Sequence, residues 1–204
     1  MGGNGIDRDL PRPNDWIRWF CLIIIFKIIC LIYPSDWNHS VGRVSNGMKI
    51  VSKSLIETEK ISKDFVEKLT LATYDGAAII GLYGDLGSGK TTFSQYIAKI
   101  LGAHETVTSP TFVIEKKYDI NPADFFSDKK SSGKHPFFKK LIHIDAYRLE
   151  SPKEMLALDW NEISFNPHNI ILVEWPERIA DILPKNHAKI FFKFISENER
   201  EIEI

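Results

Sequence analysis

Residues 84–91 contain the pattern in this sequence that most directly indicates a binding or catalytic site. They read Gly-Asp-Leu-Gly-Ser-Gly-Lys-Thr, which matches the phosphate-binding pattern G-x-x-x-x-G-K-[ST]. The glycines would allow backbone N–H groups to close around phosphate oxygens, and Lys90 would bring a positive charge to the β- and γ-phosphates of a nucleotide. The hydroxyl of Thr91 would lie where Mg²⁺ binds. The alternative interpretation is a glycine-rich turn beside an unrelated lysine.

Two acidic residues each end a short apolar run. Asp145 follows Leu-Ile-His-Ile, and Glu174 follows Ile-Ile-Leu-Val. A phosphate loop needs an acid on a neighbouring strand for its Mg²⁺, and ligands bind at the carboxyl ends of strands in open α/β sheets. Both acids are therefore candidates for the metal site. For each of them the alternative is a surface carboxylate at the end of a strand.

Two further residues lie near these motifs in the sequence. Thr111, in Ser-Pro-Thr, occupies the position expected of a switch threonine that senses the γ-phosphate, although a plain turn is the alternative. His143 lies inside an apolar run, and the histidines show no metal-ligand spacing, so we expect a hydrogen-bonded core residue there.

The elements that would position these residues alternate between strand and helix from Lys49 onward. Ser54-x-x-Glu57 is a helix-capping pattern, and short apolar runs are typical of strands buried on both faces. The predicted helices are one with Ile61, Phe65 and Leu69, one that begins near Lys90, carries the apolar stripe Phe93, Ile97, Ile100 and Leu101 and is ended by Gly102, and one at Pro152–Leu158. The predicted strands are Ala77–Tyr83, Phe112–Tyr118, Leu141–Asp145, Ile170–Glu174 and Ala188–Ile195, and a segment Glu201–Ile204 would pair with the last of them. This alternation predicts the α/β class, a P-loop fold with a mostly parallel central sheet flanked by helices.

Composition narrows the class of protein. The chain has 204 residues, is 44% hydrophobic and 26% charged, and carries a net charge of -1. These values exclude a disordered, collagen-like or polytopic membrane protein, and they give no overall attraction to nucleic acid. Two cysteines, Cys21 and Cys30, provide neither a disulfide framework nor a zinc cluster. A reducing compartment, the cytoplasm, is the simpler prediction.

Residues 1–48 differ from residues 49–204, and we treat them as a separate extension before the globular domain. The apolar run 17–33 approaches the roughly 20 residues of a membrane span but contains Arg18 and Lys27. A membrane anchor is one interpretation; a cleaved signal peptide or a transit peptide fits less well. We favour a misassigned start, with Met48 as the alternative start of translation.

The motifs also narrow the classes of nucleotide-binding protein to which this sequence could belong. No N-K-x-D follows a later strand, which favours ATP over GTP. Residues 121–138 read as a loop that contains lysines but no arginine, whereas a kinase lid clamps phosphate with arginines. A small phosphotransferase with 121–138 as its lid is the alternative to an ATPase. A nucleotide-gated binding module that hardly hydrolyses ATP is a third hypothesis.

Four motifs occur in an order that resembles the TsaE family, the ATPase component of bacterial tRNA threonylcarbamoyladenosine synthesis. They are Leu82–Phe93, Ser109–Phe112, His143–Leu149 and Val173–Glu177. The resemblance covers about residues 50–195. It implies binding and hydrolysis of Mg-ATP in the cytoplasm, together with the TsaD and TsaB proteins, which transfer threonylcarbamoyl to adenosine 37 of tRNA. Direct contact with tRNA would be weak or absent.

The resemblance also implies a role for each motif residue. Those that would hold the phosphates are Gly84, Asp85, Leu86, Gly87, Ser88, Gly89, Lys90, Thr91 and Thr92. The residues with catalytic roles would be Lys90, Asp145, which would orient the attacking water or its metal, Glu174, and the switch residue Thr111. Thr91 and Glu174 would bind Mg²⁺, Trp175 would pack near the nucleotide or a partner, and Thr58 would lie near the base. The family usually lacks an extension like 1–48, and we favour a surface insertion for the long loop 121–138.

Overall fold

A seven-stranded sheet forms the centre of the part of the chain that the computed structural model describes, residues 47–72, 74–105, 107–122 and 138–204. The strands are β1 (Lys49–Ser52), β2 (Ala78–Tyr83), β3 (Glu115–Asp119), β4 (Lys140–Asp145), β5 (Asn169–Glu174), β6 (Ala188–Phe194) and β7 (Arg200–Glu203). The α-helices are α1 (Leu55–Leu71), α2 (Lys90–Ile100), α3 (Pro152–Leu156) and α4 (Trp160–Phe165), and 3₁₀ turns span Ala146–Arg148 and Pro176–Ile179. The predictions for residues 1–46 and for most of 121–138 fall outside the described residues.

The sheet is parallel at its centre and antiparallel at its edges. The strand order is β1-β7-β6-β2-β5-β4-β3, and the four strands from β6 to β4 run parallel. β7 pairs antiparallel with both β6 and β1, and β3 pairs antiparallel with β4. The predicted α/β fold with a mostly parallel central sheet is confirmed, and so is the pairing of the last strand.

Helices cover both faces of the sheet and create two apolar cores. On one face α1 and α2 pack through Phe65 and Phe93, whose ring centroids lie 6.0 Å apart. On the other face the short helices contribute Met155, Trp160 and Ile163. Because both faces are covered, β5 is buried along its whole length, as its continuous apolar run predicts.

The residues predicted to begin and end the helices do so, except that Glu57 bonds to the residue before the N-cap and not to the N-cap itself. Ser54 Oγ accepts a hydrogen bond from the Glu57 amide at 3.2 Å and caps α1. The Glu57 carboxylate accepts from the Lys53 amide at 2.7 Å, one residue before the cap. Gly102 follows α2 with φ +73°, and a Cβ there would lie 2.5 Å from the Asn121 carbonyl oxygen, so glycine is required where the helix ends.

Several predicted boundaries are wrong. The predicted strand Phe112–Tyr118 begins only at Glu115, because the Val113 and Ile114 amides both donate to the Pro110 carbonyl and form a turn. Ile114 has φ 66°, an unusual conformation for a β-branched residue. The predicted helix Pro152–Leu158 ends at Leu156. The strand β1 and the helix α4 were not predicted.

The first and last strands bring the two ends of the described domain together. β1 pairs with β7, and Met48 and Ile204 exchange two backbone hydrogen bonds of 3.1 and 3.2 Å. None of the helices within the described ranges is long and apolar enough to cross a bilayer.

Candidate functional site

The glycine-rich loop joins the end of β2 directly to the start of α2. Its glycines at 84, 87 and 89 have φ values of 135°, 75° and 105°, which non-glycine residues rarely adopt. Gly84 also passes close to β6, since a Cβ there would lie 2.2 Å from the Phe192 carbonyl oxygen. Gly89 is the N-cap of α2, so the positive end of this helix faces the loop. The predicted strand–loop–helix context of the motif is present.

Lys90 is buried at the first position of α2. Its ammonium donates to the carbonyl oxygens of Gly84 and Asp85 at 2.6 and 2.8 Å, and it lies 4.4 Å from the centre of the Trp175 ring. Burial lowers the pKa of Lys90, and nearby carboxylates, chiefly that of Glu174, act in the opposite direction. The charge is therefore held in a partly desolvated position, where its attraction for an anion is stronger than in water.

Glu174 ends β5 and is almost completely buried, with 3% of its surface exposed. Thr91 Oγ1 lies within hydrogen-bonding distance of both carboxylate oxygens, at 2.9 and 3.1 Å. His143 Nε2 contacts Oε1 at 2.9 Å. The predicted acid and the predicted threonine are thus in direct contact, although they are 83 residues apart in the chain.

Asp145 ends β4 and is paired in register with Glu174. Its Oδ2 accepts hydrogen bonds from Thr111 Oγ1 at 2.5 Å and from Ser109 Oγ at 3.3 Å. Its Oδ1 accepts from the Tyr147 amide at 3.1 Å and caps the 3₁₀ turn that follows. Asp145 therefore fastens the segment 108–114, which we call the switch segment, to the edge of the sheet.

These side chains border one pocket of about 490 Å³. The predicted site residues that line it are Thr58, Leu86, Gly87, Ser88, Gly89, Lys90, Thr91, Thr92, Thr111, Asp145, Glu174 and Trp175. Two other predicted residues, Gly84 and Asp85, do not line it and contribute instead the carbonyl oxygens that hold Lys90. The Thr58 hydroxyl shares a hydrogen bond of 2.8 Å with Ser52 Oγ, at the α1 side of the pocket.

Sequence reasoning missed several residues of the pocket wall. The turn between β6 and β7 contributes Glu197 and Asn198, and β7 contributes Arg200. Arg200 donates to the backbone carbonyls of Ser196 and Glu199 and so shapes this turn. No motif marks these residues, because they reach the pocket only through strand pairing. Ser109, in contrast, lies within a motif and could have been assigned together with Thr111.

A comparison of the sequence with models of known protein families identifies the family of this chain. The model of the family described as "Threonylcarbamoyl adenosine biosynthesis protein TsaE" matches residues 52–202. The chain belongs to the TsaE family. The matched range contains every predicted site residue of this TsaE-family chain.

Individual relatives agree with this assignment. The TsaE protein of Bacillus subtilis, named a tRNA threonylcarbamoyladenosine biosynthesis protein, is 37% identical over 137 residues, which cover 67% of this chain and 75% of that protein. The equally named protein of Aquifex aeolicus is 30% identical over 161 residues, covering 77% of this chain and 98% of that protein. Among solved structures, YdiB from Bacillus subtilis aligns with a TM-score of 0.49 at 29% identity, covering 78% of this chain and 84% of that one.

The donor atoms of this TsaE-family site fit Mg²⁺ bound to a nucleotide. Mg²⁺ prefers oxygen ligands and is usually held by one or two carboxylates together with substrate phosphates and water. The Thr91 hydroxyl and the Glu174 carboxylate form such an oxygen pair, beside a phosphate loop. Within the described residues no group of three or more His, Cys, Asp or Glu side chains is arranged to hold a metal by itself. A shared protein–nucleotide site is thus the arrangement that the donor set suits.

Proposed function

We propose that this protein binds Mg-ATP and hydrolyses it as the ATPase component of tRNA threonylcarbamoyladenosine modification. One observation carries the proposal: Lys90, Thr91 and Glu174 converge at the start of α2, beside the glycine-rich loop. A lysine, a hydroxyl and a carboxylate are the groups that phosphate-loop enzymes use for phosphate and Mg²⁺. The description of the family supports the pathway.

Each side chain has a distinct task in this proposal. Lys90 would leave the carbonyl oxygens of the loop for the β- and γ-phosphates. Thr91 and Glu174 would bind Mg²⁺, which supplies neutralisation of the charge that develops on the phosphates. Asp145 lies beside Glu174 in register. Among the described residues its Oδ1 accepts a hydrogen bond only from the Tyr147 amide, and the second lone pair of this oxygen would orient the water that attacks the γ-phosphorus. Trp175 packs over the Lys90 ammonium at 4.4 Å and would shield this charge from water.

Membership of the family supports a proposal for the partners and the setting. We propose that the protein works with TsaD and TsaB in the cytoplasm, and that these partners transfer threonylcarbamoyl to adenosine 37 of tRNA. This chain would supply hydrolysis and would not carry the transferred group. With a net charge of -1, it has no overall attraction for tRNA, so contact with the nucleic acid would be indirect or weak.

The test is a reconstituted modification reaction. TsaB, TsaD, tRNA and an activated threonylcarbamoyl donor are incubated with the wild-type protein, with Lys90→Ala, or with Lys99→Ala. Lys99 is the matched control, because it lies in the same helix but on the surface, paired with Glu59 at 2.8 Å. We expect multiple turnovers with wild type and Lys99→Ala, and a loss of about 100- to 1000-fold with Lys90→Ala.

Labelled ATP separates the proposal from the kinase alternative in the same reaction. An ATPase releases the γ-phosphate as inorganic phosphate, whereas a phosphotransferase passes it to an organic acceptor. Label found in an organic product would overturn the ATPase assignment. Modification that proceeds equally well without this protein, while it still binds ATP, would overturn its place in the pathway.

A further inference from the structure

His143 is a buried polar residue whose hydrogen-bond partner the sequence did not identify. It lies in β4 with no exposed surface, and its neighbours in the strand are the core residues Ile142 and Ile144. The expectation of a hydrogen-bonded core residue is correct, but the partner is Glu174 of the candidate metal site. This contact raises the question of what the histidine does for that carboxylate.

The strand register explains why the two side chains meet. Asp145 is opposite Glu174, and His143 is opposite Leu172. Since side chains alternate along a strand, His143 and Asp145 point to the same face of the sheet, the face that α2 covers. His143 thus approaches Glu174 diagonally from β4, while Thr91 approaches it from α2. The carboxylate is held from two different elements.

The two ring nitrogens of His143 have different surroundings. Nε2 of His143 lies 2.9 Å from Glu174 Oε1. A Mg²⁺ ligand is an ionised carboxylate, which only accepts hydrogen bonds, so in the proposed function the Nε2–H of His143 would donate to Glu174. The other ring nitrogen, Nδ1, is buried and has no hydrogen-bond partner among the described residues. A buried unpaired nitrogen destabilises the fold, and an aliphatic residue would avoid this loss. A histidine at this position therefore contributes little to the packing of the core. Its contribution is the hydrogen bond to Glu174.

We propose that His143 is a positioning residue that holds the Glu174 carboxylate in the orientation needed to bind Mg²⁺. This inference rests on the proposed function and deepens it. The last torsion of a glutamate side chain is broad and weakly restrained. Thr91 contacts both carboxylate oxygens and has its own task as a ligand, so His143 is the contact that fixes which oxygen faces away from the cation. Partners of this kind typically change metal affinity by about 10- to 100-fold when removed.

The first experiment compares His143→Leu with His143→Gln. Leucine removes the donor from a strand that is already apolar, and glutamine places an amide N–H near the position of Nε2. We expect His143→Leu to raise the Mg²⁺ concentration for half-maximal ATPase activity by about 10- to 100-fold, with His143→Gln recovering most of the loss. Affinity for ADP without metal should stay within about twofold of wild type.

A direct measurement of metal binding complements the activity assay. Mn²⁺ replaces Mg²⁺ as the probe, and electron paramagnetic resonance reports its binding to the protein with ADP. His143→Leu should weaken Mn²⁺ binding by the same factor. If wild type binds Mn²⁺ and ADP but does not hydrolyse ATP, the proposed activity fails while this measurement still decides the role of His143. If wild type binds no Mn²⁺, both proposals are overturned.

Two further variants separate positioning from a general structural role. In a Glu174→Gln background, His143→Leu should cause no further loss of metal affinity, because the histidine acts through Glu174. His143→Asn matches His143→Gln in polarity but is too short to reach Glu174, and it keeps the test decisive if the leucine variant does not fold. Equal metal affinity in the Asn and Gln variants, or an additive loss in the double variant, would overturn the proposal.

Discussion

Glu174 and Asp145 end adjacent parallel strands at the same level of the sheet, yet they fasten different parts of the molecule. The partners of Glu174 are Thr91, which is half-buried in α2, and His143, which is completely buried in β4. The partners of Asp145 include Ser109 and Thr111 in the switch segment. That segment carries Phe112 with 84% of its surface exposed. One acid is anchored to the scaffold, and the other holds a segment that lies at the surface.

This difference indicates a division of tasks between two chemically similar residues. A carboxylate bonded to a completely buried histidine keeps its orientation, which suits a metal ligand. A carboxylate bonded to an exposed serine and a half-buried threonine of a surface segment can exchange those bonds when a ligand arrives, which suits a sensor. The switch segment ends at Ile114, whose φ of 66° is a strained conformation for a β-branched residue, and the bonds to Asp145 help to hold the segment in this conformation. We expect the two acids to respond differently to the same substitution.

The largest effect is expected at the anchored acid. Glu174→Gln keeps the size of the side chain but removes the charge that would bind Mg²⁺ in the proposed function, so ATPase turnover should fall by at least about 100-fold and the Mg²⁺ requirement should rise. Asp145→Asn should lower turnover by about 10- to 100-fold without a comparable rise in the Mg²⁺ requirement. Steady-state kinetics at several Mg²⁺ concentrations checks both. An equal shift in the Mg²⁺ requirement for the two variants would contradict the comparison.

A smaller effect is expected when the hydrogen bond between Asp145 and the switch segment is removed by a substitution at Thr111 instead of at Asp145. Thr111→Val has nearly the same shape but cannot donate to Asp145, so the switch segment should open more often. Hydrogen exchange of the amides at 108–114 should become faster by roughly fivefold or more, since a lost hydrogen bond of about 1 kcal/mol changes the opening equilibrium by that factor. Thr108→Val is the matched control, because its hydroxyl contacts Lys116 rather than Asp145. Equal exchange in the two variants would show that Asp145 does not hold the segment.

The smallest effect is expected at a third strand end on the same edge. Tyr83 ends β2, and its hydroxyl contacts His187 Nε2 at 2.8 Å, outside the pocket. Burial lowers the pKa of His187 below its usual 6.5, and Lys189 adds to this effect, whereas the hydrogen bond that Nδ1 donates to the Pro184 carbonyl oxygen acts in the opposite direction. The unfolded state then binds the proton more readily, so stability is complete above pH 6.5 and falls as the pH decreases towards the lowered pKa.

Thermal unfolding between about pH 7.5 and about pH 5 checks this prediction. The midpoint of wild type should fall by more than that of His187→Gln, which cannot titrate. The Mg²⁺ requirement of this variant at neutral pH should equal that of wild type, because the residue touches neither acid. A change in that requirement would show that the three strand ends are coupled and would weaken the comparison.

The sequence predicted those parts of the molecule whose signals are local. The capped start of α1 at Ser54, the glycine-rich loop and the buried strand ending in Glu174 all depend on neighbours in the chain. The helix α4 was missed because its N-cap residue, Asp159, has a left-handed conformation and makes no side-chain capping bond. The strand β1 was missed because it is only four residues long, two of them exposed, and it becomes a strand only by pairing with β7.

The same limit applies to the candidate site. The sequence named Thr91 and Glu174 because each belongs to a motif, and the structure brings them into contact. It could not reveal that His143 reaches Glu174, because this depends on the register between β4 and β5. Nor could it place Arg200 at the pocket, which requires the hairpin of β6 and β7. Contacts that depend on the register between strands can be identified only when the structure of the sheet is known.

The pairing of Met48 with Ile204 makes the domain suitable for circular permutation. Since these residues exchange two backbone hydrogen bonds, a short glycine linker can join them without stretching the chain. New ends can be opened at the exposed residues Lys185 and Asn186, in the turn before β6. The permuted chain would begin with the β6–β7 hairpin and continue through the linker into β1 and α1. It would place a fluorophore or a surface tether at residue 185, while the phosphate loop and both strand-end acids keep their neighbours.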